Sequence, residues 1–117
     1  MTESLIRLGV VVRDPMGREG IVLSKEGDPP RDWLEEQVNV EQIKGLGPNI
    51  EWWGVMPFDG GYLLLPGPLL TWLREATFED FLRAVDHAGL EGRLGLAKVF
   101  PHYVDHVLKL KANQRDN

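Results

Sequence analysis

The stretch IEWWGVMPFDGGYLLLP, residues 50–66, constrains this chain more than any other. Apolar runs flank Asp59-Gly60-Gly61 and read as a β-hairpin: Asp-Gly is a strong turn signal between strands, and Gly61 leaves room for a bulge. Pro57 has no N–H to give to a ladder, which marks its end of the first arm as an edge or a bulge. Side chains alternate across a strand, so Trp52 and Trp53 cannot enter the same core. Ile50, Trp52 and Met56 share one face; Glu51, Trp53 and Val55 share the other. The first set is uniformly apolar and is expected inside. The second carries a carboxylate and is expected to face outward under cover, supplied either by this chain or by a partner.

The rest of the chain supplies candidates for that cover. IRLGVVVRD (6–14) and GIVLSKEG (20–27) are strand arms joined by turn chemistry at Pro15, Gly17 and Gly20. A polar, punctuated insertion follows over 28–49, in which Pro29 and Pro30 confine any helix to a short turn through Trp33–Gln37, capped by Asp32. QVNVEQI within it reads as a short strand. After Pro66-Gly67-Pro68, residues 69–76 fit a strand or a helical turn equally. TFEDFLRAVDHAG is a helix: Thr77 and Asp80 form a capping-box start, Phe78, Phe81, Leu82, Val85 and Ala88 share a face, and Gly89 stands at the C′ stop. LEGRLGLAKV is broken by glycine and fits no single element. A last helix starts at Pro101, with Phe100, Tyr103, Val104, Val107 and Leu108 as its apolar stripe. The tail, 113–117, is expected to fray.

Strands first and helices last give an α+β class in a single domain over 1–117, with β structure in 6–76 and a helical extension over 77–112. LGVVVRDPMGREGIVLS resembles the first hairpin of SH3-like small β-barrels of the KOW and Tudor-like kinds, and WWGVMPFDGGYLLLP resembles a later hairpin of such a barrel. The resemblance covers residues 6–66. It implies a small barrel filled by its own side chains, with Ile50, Trp52 and Met56 pointing in and the useful surface outside. It also implies a nucleic-acid-binding alternative. KOW-type domains use basic loops, whereas Glu19, Glu26, Asp28, Glu35, Glu36 and Glu41 occupy this segment.

Charge excludes some partners. Net charge is −5, and the acidic excess lies wholly in residues 1–60, with eleven acidic and six basic side chains, so no basic footprint for duplex nucleic acid is present. With no cysteine, disulfides and thiolate chemistry are excluded, which fits a cytoplasmic protein. No membrane span or leader is read at the N-terminus, where Glu3 precedes only a short apolar run.

Candidate site residues are few. The C-terminal helical stripes need a sheet face to cover, and the Trp53 face is the one left open, so the chain itself is the expected cover for Trp53. Trp33 lies in a loop beside Asp32, Glu35 and Glu36, an arrangement that suits either a cationic partner segment or a lid folded back on the sheet. Phe58 and Tyr62 at the hairpin end complete the candidate partner surface. His102 and His106 stand at i, i+4 with Asp105 between them, a spacing that could chelate a metal, though Tyr103 replaces the glutamate of a His-Glu-x-x-His motif. His87 reads as a helix C-terminal cation. Neither Ser4 nor Ser24 carries an activation signature, and GLGPN (45–49) lacks the Lys-Ser/Thr of a phosphate loop. The sequence therefore points to a non-catalytic protein-interaction or regulatory domain without cofactor, binding a protein partner or itself. A small metal- or ligand-dependent enzyme using the C-terminal histidines is the alternative of another class.

Overall fold

The computed structural model describes residues 5–37, 40–47 and 49–115, with side chains described as far as Ala112. Its sheet begins with β1 (Val10–Arg13) and β2 (Glu19–Glu26), which pair antiparallel with Val11 opposite Ile21. Asp14 makes the turn between them: its carboxylate accepts the N–H groups of Met16 and Arg18, each at 2.9 Å, while Gly17 takes the left-handed φ of +87°. The Arg18 Nε, 3.3 Å away, neutralises the carboxylate where it is buried.

The polar insertion holds two one-turn helices, α1 (Arg31–Glu35) and α2 (Val40–Lys44). The strand expected over QVNVEQI is replaced from Val40 onward by α2, whose Ile43 is buried; Val38 and Asn39 lie outside the described residues. α1 starts two residues earlier than expected, with Pro30 at its N-cap position, so Asp32 sits inside the first turn and caps nothing. β3 (Trp52–Pro57) then pairs with β2, and β4 (Leu63–Pro66) with β3. A 3-10 turn (Gly67–Leu69) leads into β5 (Thr71–Glu75), which returns to pair with β1 and resolves the open question over 69–76. The sheet order is β4-β3-β2-β1-β5, antiparallel throughout, and the two end strands do not meet.

The β3–β4 connection is longer than a two-residue turn. The last pair is Val55 opposite Leu63, because Met56 and Pro57 continue along β2 opposite Ile21 and Gly20, and the Phe58 N–H donates to Glu19 O at 3.0 Å. Pro57 therefore lies where β3 has lost its outer neighbour, as a residue without N–H requires.

Three helices follow: α3 (Phe78–His87), α4 (Leu90–Val99) and α5 (Pro101–Arg115). The capping box of α3 is complete, with the Asp80 N–H donating to Thr77 Oγ1 at 3.2 Å and the Thr77 N–H to Asp80 Oδ2 at 3.0 Å. Arg74 from β5 closes on the same carboxylate through Nη2 at 2.8 Å and Nε at 3.3 Å. Burial opposes ionisation of Asp80, yet the Arg74 contacts and the Thr77 donors hold its carboxyl below the usual range. Ala88, in extended conformation, ends α3; Gly89 has an ordinary φ of −77° and opens α4 in place of the expected C′ stop.

α4 is a helix despite its glycines because they are where it touches the sheet. A Cβ on Gly92 would sit 2.7 Å from Met56 Sδ, and one on Gly95 3.2 Å from Leu23 Cβ. Gly92, Gly95 and Leu96 fall at i, i+3 and i+4, one face of the helix. Each glycine costs a helix about 1 kcal/mol relative to alanine, and close approach of Leu96 to the core offsets it.

These helices bury one face of the sheet. Val11, Ile21, Leu23, Met56 and Phe58 pack with Phe81, Ala84, Leu96 and Phe100, supported by Tyr103, Val104 and Val107 of α5. On the opposite face Val10, Val12, Val22, Trp53 and Val55 pack with Ile6, Leu70 and Leu65, a cluster drawn entirely from strands and the segments leading into them. Leu65 of the end strand β4 and Leu70, the residue before β5, both reach this second cluster, so the sheet curls around it. Register shifts at Val11/Val12 and Val22/Ser24 supply bending points.

The expected facing of β3 is thus reversed. The helices cover the Met56 face, and Trp53, 6% exposed, is covered by the curl of the sheet. The physical reason is that all six residues of β3 are buried, so this central strand has no polar face to betray which side takes the helices. Trp52 lies on the helix side but beyond the helices, where Trp33 meets it edge-on at 6.1 Å between ring centroids. Both indoles of the pair are covered by the chain itself.

Candidate functional site

β4 is an end strand of the sheet, and its residues line one wall of a hollow of about 600 Å³. Leu63, Leu64 and Leu65, all half-buried, line that wall; Trp33 and Gln37 stand opposite on the α1 segment, and Asp14, Met16 and Arg18 of the β1–β2 turn close one end. In an antiparallel edge strand, alternate residues turn N–H and C=O away from the sheet. β4, as an end strand, has such outward main-chain groups, and its leucine side chains line the groove. The other end strand, β5, carries Arg74 and Glu75 along its length; β4 carries no charge.

Trp33 is fixed on the side opposite β4. Its carbonyl accepts the Gln37 side-chain N–H at 2.9 Å, its ring rests on Trp52, and α1 is tied to α2 by Glu35 and Lys44 at 3.1 Å.

A second hollow, about 340 Å³, shares Pro30, Tyr62 and Leu64 with the first and adds Glu26 and Asp28. Three side chains are ordered at the junction. Ser24 Oγ lies 2.6 Å from Glu26 Oε1 and 2.7 Å from Tyr62 Oη. An ionised carboxylate only accepts, so the Ser24 hydroxyl donates to Glu26 and the Tyr62 hydroxyl donates to Ser24. Burial, reinforced by the charges of Glu26 and Glu91 and opposed by the Ser24 hydrogen bond, raises the Tyr62 phenol above its ordinary value and keeps it a donor. Gly54 makes the meeting possible, since a Cβ there would press on both hydroxyls.

Of the residues singled out by sequence, Trp33 and Tyr62 line the groove. Glu35 is engaged by Lys44, and Glu36 is exposed at the end of α1 without lining it. Trp53 and Phe58 are withdrawn as contact residues: Phe58 is 3% exposed, beneath the Arg83 guanidinium at 4.4 Å, and Trp53 belongs to the second core. Trp33 brings no carboxylate cluster with it: the acidic residue on its hollow is Asp14, and Glu26 and Asp28, at and just past the end of β2, line the second hollow.

His102 and His106 are exposed on α5, where the His102 ring lies tilted against Tyr103 at 4.2 Å and His106 meets the Phe78 ring edge-on at 4.7 Å. Among the described residues, no group of three His, Cys, Asp or Glu side chains is placed to hold a metal ion, His102, Asp105 and His106 included. No described helix is long and apolar enough to cross a membrane.

Sequence reasoning missed Leu63–Leu65, Ser24 and Glu26. The leucines carried a signal, three consecutive apolar residues on a strand that also leads away from the sheet centre. Ser24 and Tyr62 carried none, being 38 positions apart. Comparison with protein-family models, with curated proteins and with solved structures finds no match.

Proposed function

We propose that this chain is a non-catalytic protein-interaction domain, an open member of the SH3-like barrel class, that receives an extended segment of a partner protein along the free edge of β4. The carrying observation is the asymmetry of the two sheet edges. Soluble proteins blunt exposed edges with charges, and β5 follows that rule; β4 presents Leu63-Leu64-Leu65 to a groove instead. Strand addition draws affinity from the main chain and specificity from pockets for alternate side chains. A rigid aromatic opposite the edge, Trp33, is the kind of anchor that dominates such contacts. The return of β5 to β1, which a sheet needs if it is to roll toward closure, and the curl around the Trp53 cluster support the barrel class.

The test is selection of a random-peptide library on the immobilised domain. Recovered peptides should compete with one another, lose binding when alternate backbone nitrogens are methylated, and fail to bind Leu64→Lys. Failure of the wild-type domain to enrich any peptide, or indifference to backbone methylation, overturns strand addition.

Self-association through the helices is the second reading. An apolar hollow of about 360 Å³ lies among α3, α4 and α5 over Leu96, and Leu82 and Leu108 beside it are 39% and 59% exposed. Sedimentation that stays monomeric across a wide concentration range removes it.

A further inference from the structure

Resting on the strand-addition reading, we infer that the partner segment carries a lysine or arginine, which the Glu26 carboxylate, held by Ser24 and Tyr62, reads at the end of the β4 groove. The groove and the smaller hollow adjoin at Pro30, Tyr62 and Leu64, which line both, so a segment lying along β4 comes beside a mouth bearing Glu26 and Asp28. Neither carboxylate has a cationic partner among the described residues. Lys25, the cation nearest in sequence, is turned away to Glu51 at 3.2 Å. The Ser24 hydroxyl engages Glu26 Oε1 at 2.6 Å and orients a side chain that lines the smaller hollow. Ser24 is in turn fixed by the Tyr62 hydroxyl at 2.7 Å, above the space that Gly54 leaves empty.

This order matters for recognition. A carboxylate already oriented loses little side-chain entropy when a cation arrives, and the Tyr62 ring, which lines both hollows, offers an aromatic surface for the aliphatic stem or the charge itself. A neutral, wholly apolar segment would fill the trough and leave two carboxylates facing unpaired at its end. A cationic residue placed beside the strand-paired leucines complements them. Ser24 and Tyr62 are positioning residues here; the ion pair is made by Glu26.

The experiment takes a peptide selected on the wild-type domain and its analogue with norleucine in place of the basic residue, and measures both against wild type, Glu26→Gln and Ser24→Ala. Wild type should favour the basic peptide about three- to five-fold at low salt, the upper range of a rim ion pair, with the preference shrinking as salt is raised. Glu26→Gln should bring the ratio close to one while still binding the norleucine analogue, which shows that the groove is intact. Ser24→Ala should lower the ratio without abolishing it. An unchanged ratio in Glu26→Gln overturns the inference. So does selection of alternating apolar peptides with no basic position, an outcome that leaves strand addition standing. Selection of no peptide at all overturns both.

Discussion

Gly54→Ala tests whether the empty space at β3 is what lets the Ser24 and Tyr62 hydroxyls meet. The added methyl would fall inside contact distance of Ser24 Oγ, 2.5 Å from Tyr62 Oη and 2.7 Å from Tyr62 Cε1. Something must move, and the groups in the way are the two hydroxyls whose hydrogen bond spans 2.7 Å. Displacing them forfeits two side-chain hydrogen bonds at about 1 kcal/mol each, with about 1–3 kcal/mol more where the ring cannot retreat. Replacing glycine in a strand returns about 0.5–1 kcal/mol. The net loss expected is roughly 1–4.5 kcal/mol, a fall in Tm of roughly 5–20 °C for a chain of this size. Urea unfolding followed by tryptophan fluorescence reads it directly, because Trp52 and Trp53 adjoin the site. Gly27→Ala, where an added Cβ meets nothing within 4 Å, is the control and should stay within about 0.5 kcal/mol of wild type. Combining Gly54→Ala with Tyr62→Phe should cost less than the sum of the two, since the second change removes one clashing atom. A Gly54→Ala protein as stable as wild type, or strict additivity in the pair, would refute the reasoning.

Other outcomes follow from the same geometry. Asp80→Asn should destabilise most near neutral pH: the folded pKa of Asp80 is depressed, so its contribution is fully present above the unfolded value near 4 and is lost as pH falls through the lower folded value. The gap between wild-type and variant unfolding free energies should therefore close in acid, and a gap independent of pH contradicts the Arg74 pairing. Leu96→Ala should cost about 2–5 kcal/mol as a fully buried residue, whereas Leu94→Ala, on the exposed side of the same helix, should change unfolding by less than about 0.5 kcal/mol. Trp33→Ala should red-shift the emission of Trp52, which loses its cover, cost about 1 kcal/mol of stability, and abolish peptide capture. Retained capture with the red shift present would take Trp33 out of the binding surface.

What the sequence disclosed and what it withheld divide along physical lines. Features fixed within a few residues were legible: the Asp14–Arg18 turn, the Thr77–Asp80 box, the start of α5 at Pro101 and the strand pairing around Asp59-Gly60-Gly61. Features set by a neighbour distant in sequence were not. The glycines of α4 read as breaks because nothing local shows that Met56 and Leu23 press against that face. β3 is apolar on both sides, so the pattern that normally orients a strand was silent, and the Trp53 face was given to the wrong cover. Ser24 looked inert in a strand until Tyr62 was brought to it.

The site itself arises from a mismatch in strand length. β3 runs on from Val55 through Pro57 beside β2, while β4 joins it only between Trp52 and Val55. Had β4 matched β3 residue for residue, a tight hairpin would have carried Phe58 and Tyr62 out to the tip. Instead the chain takes Phe58 into the helix-covered core, makes the Gly60-Gly61 turn at positive φ, and brings Tyr62 back over Gly54. The same detour seats Tyr62 where the groove meets the acidic mouth. An uncharged edge of this kind is a liability in a soluble chain unless something occupies it. Trp33 is held beside that edge by Gln37 and Trp52, and Glu26 by Ser24. On the strand-addition proposal, groups fixed in place before an occupant arrives make binding there less costly in entropy.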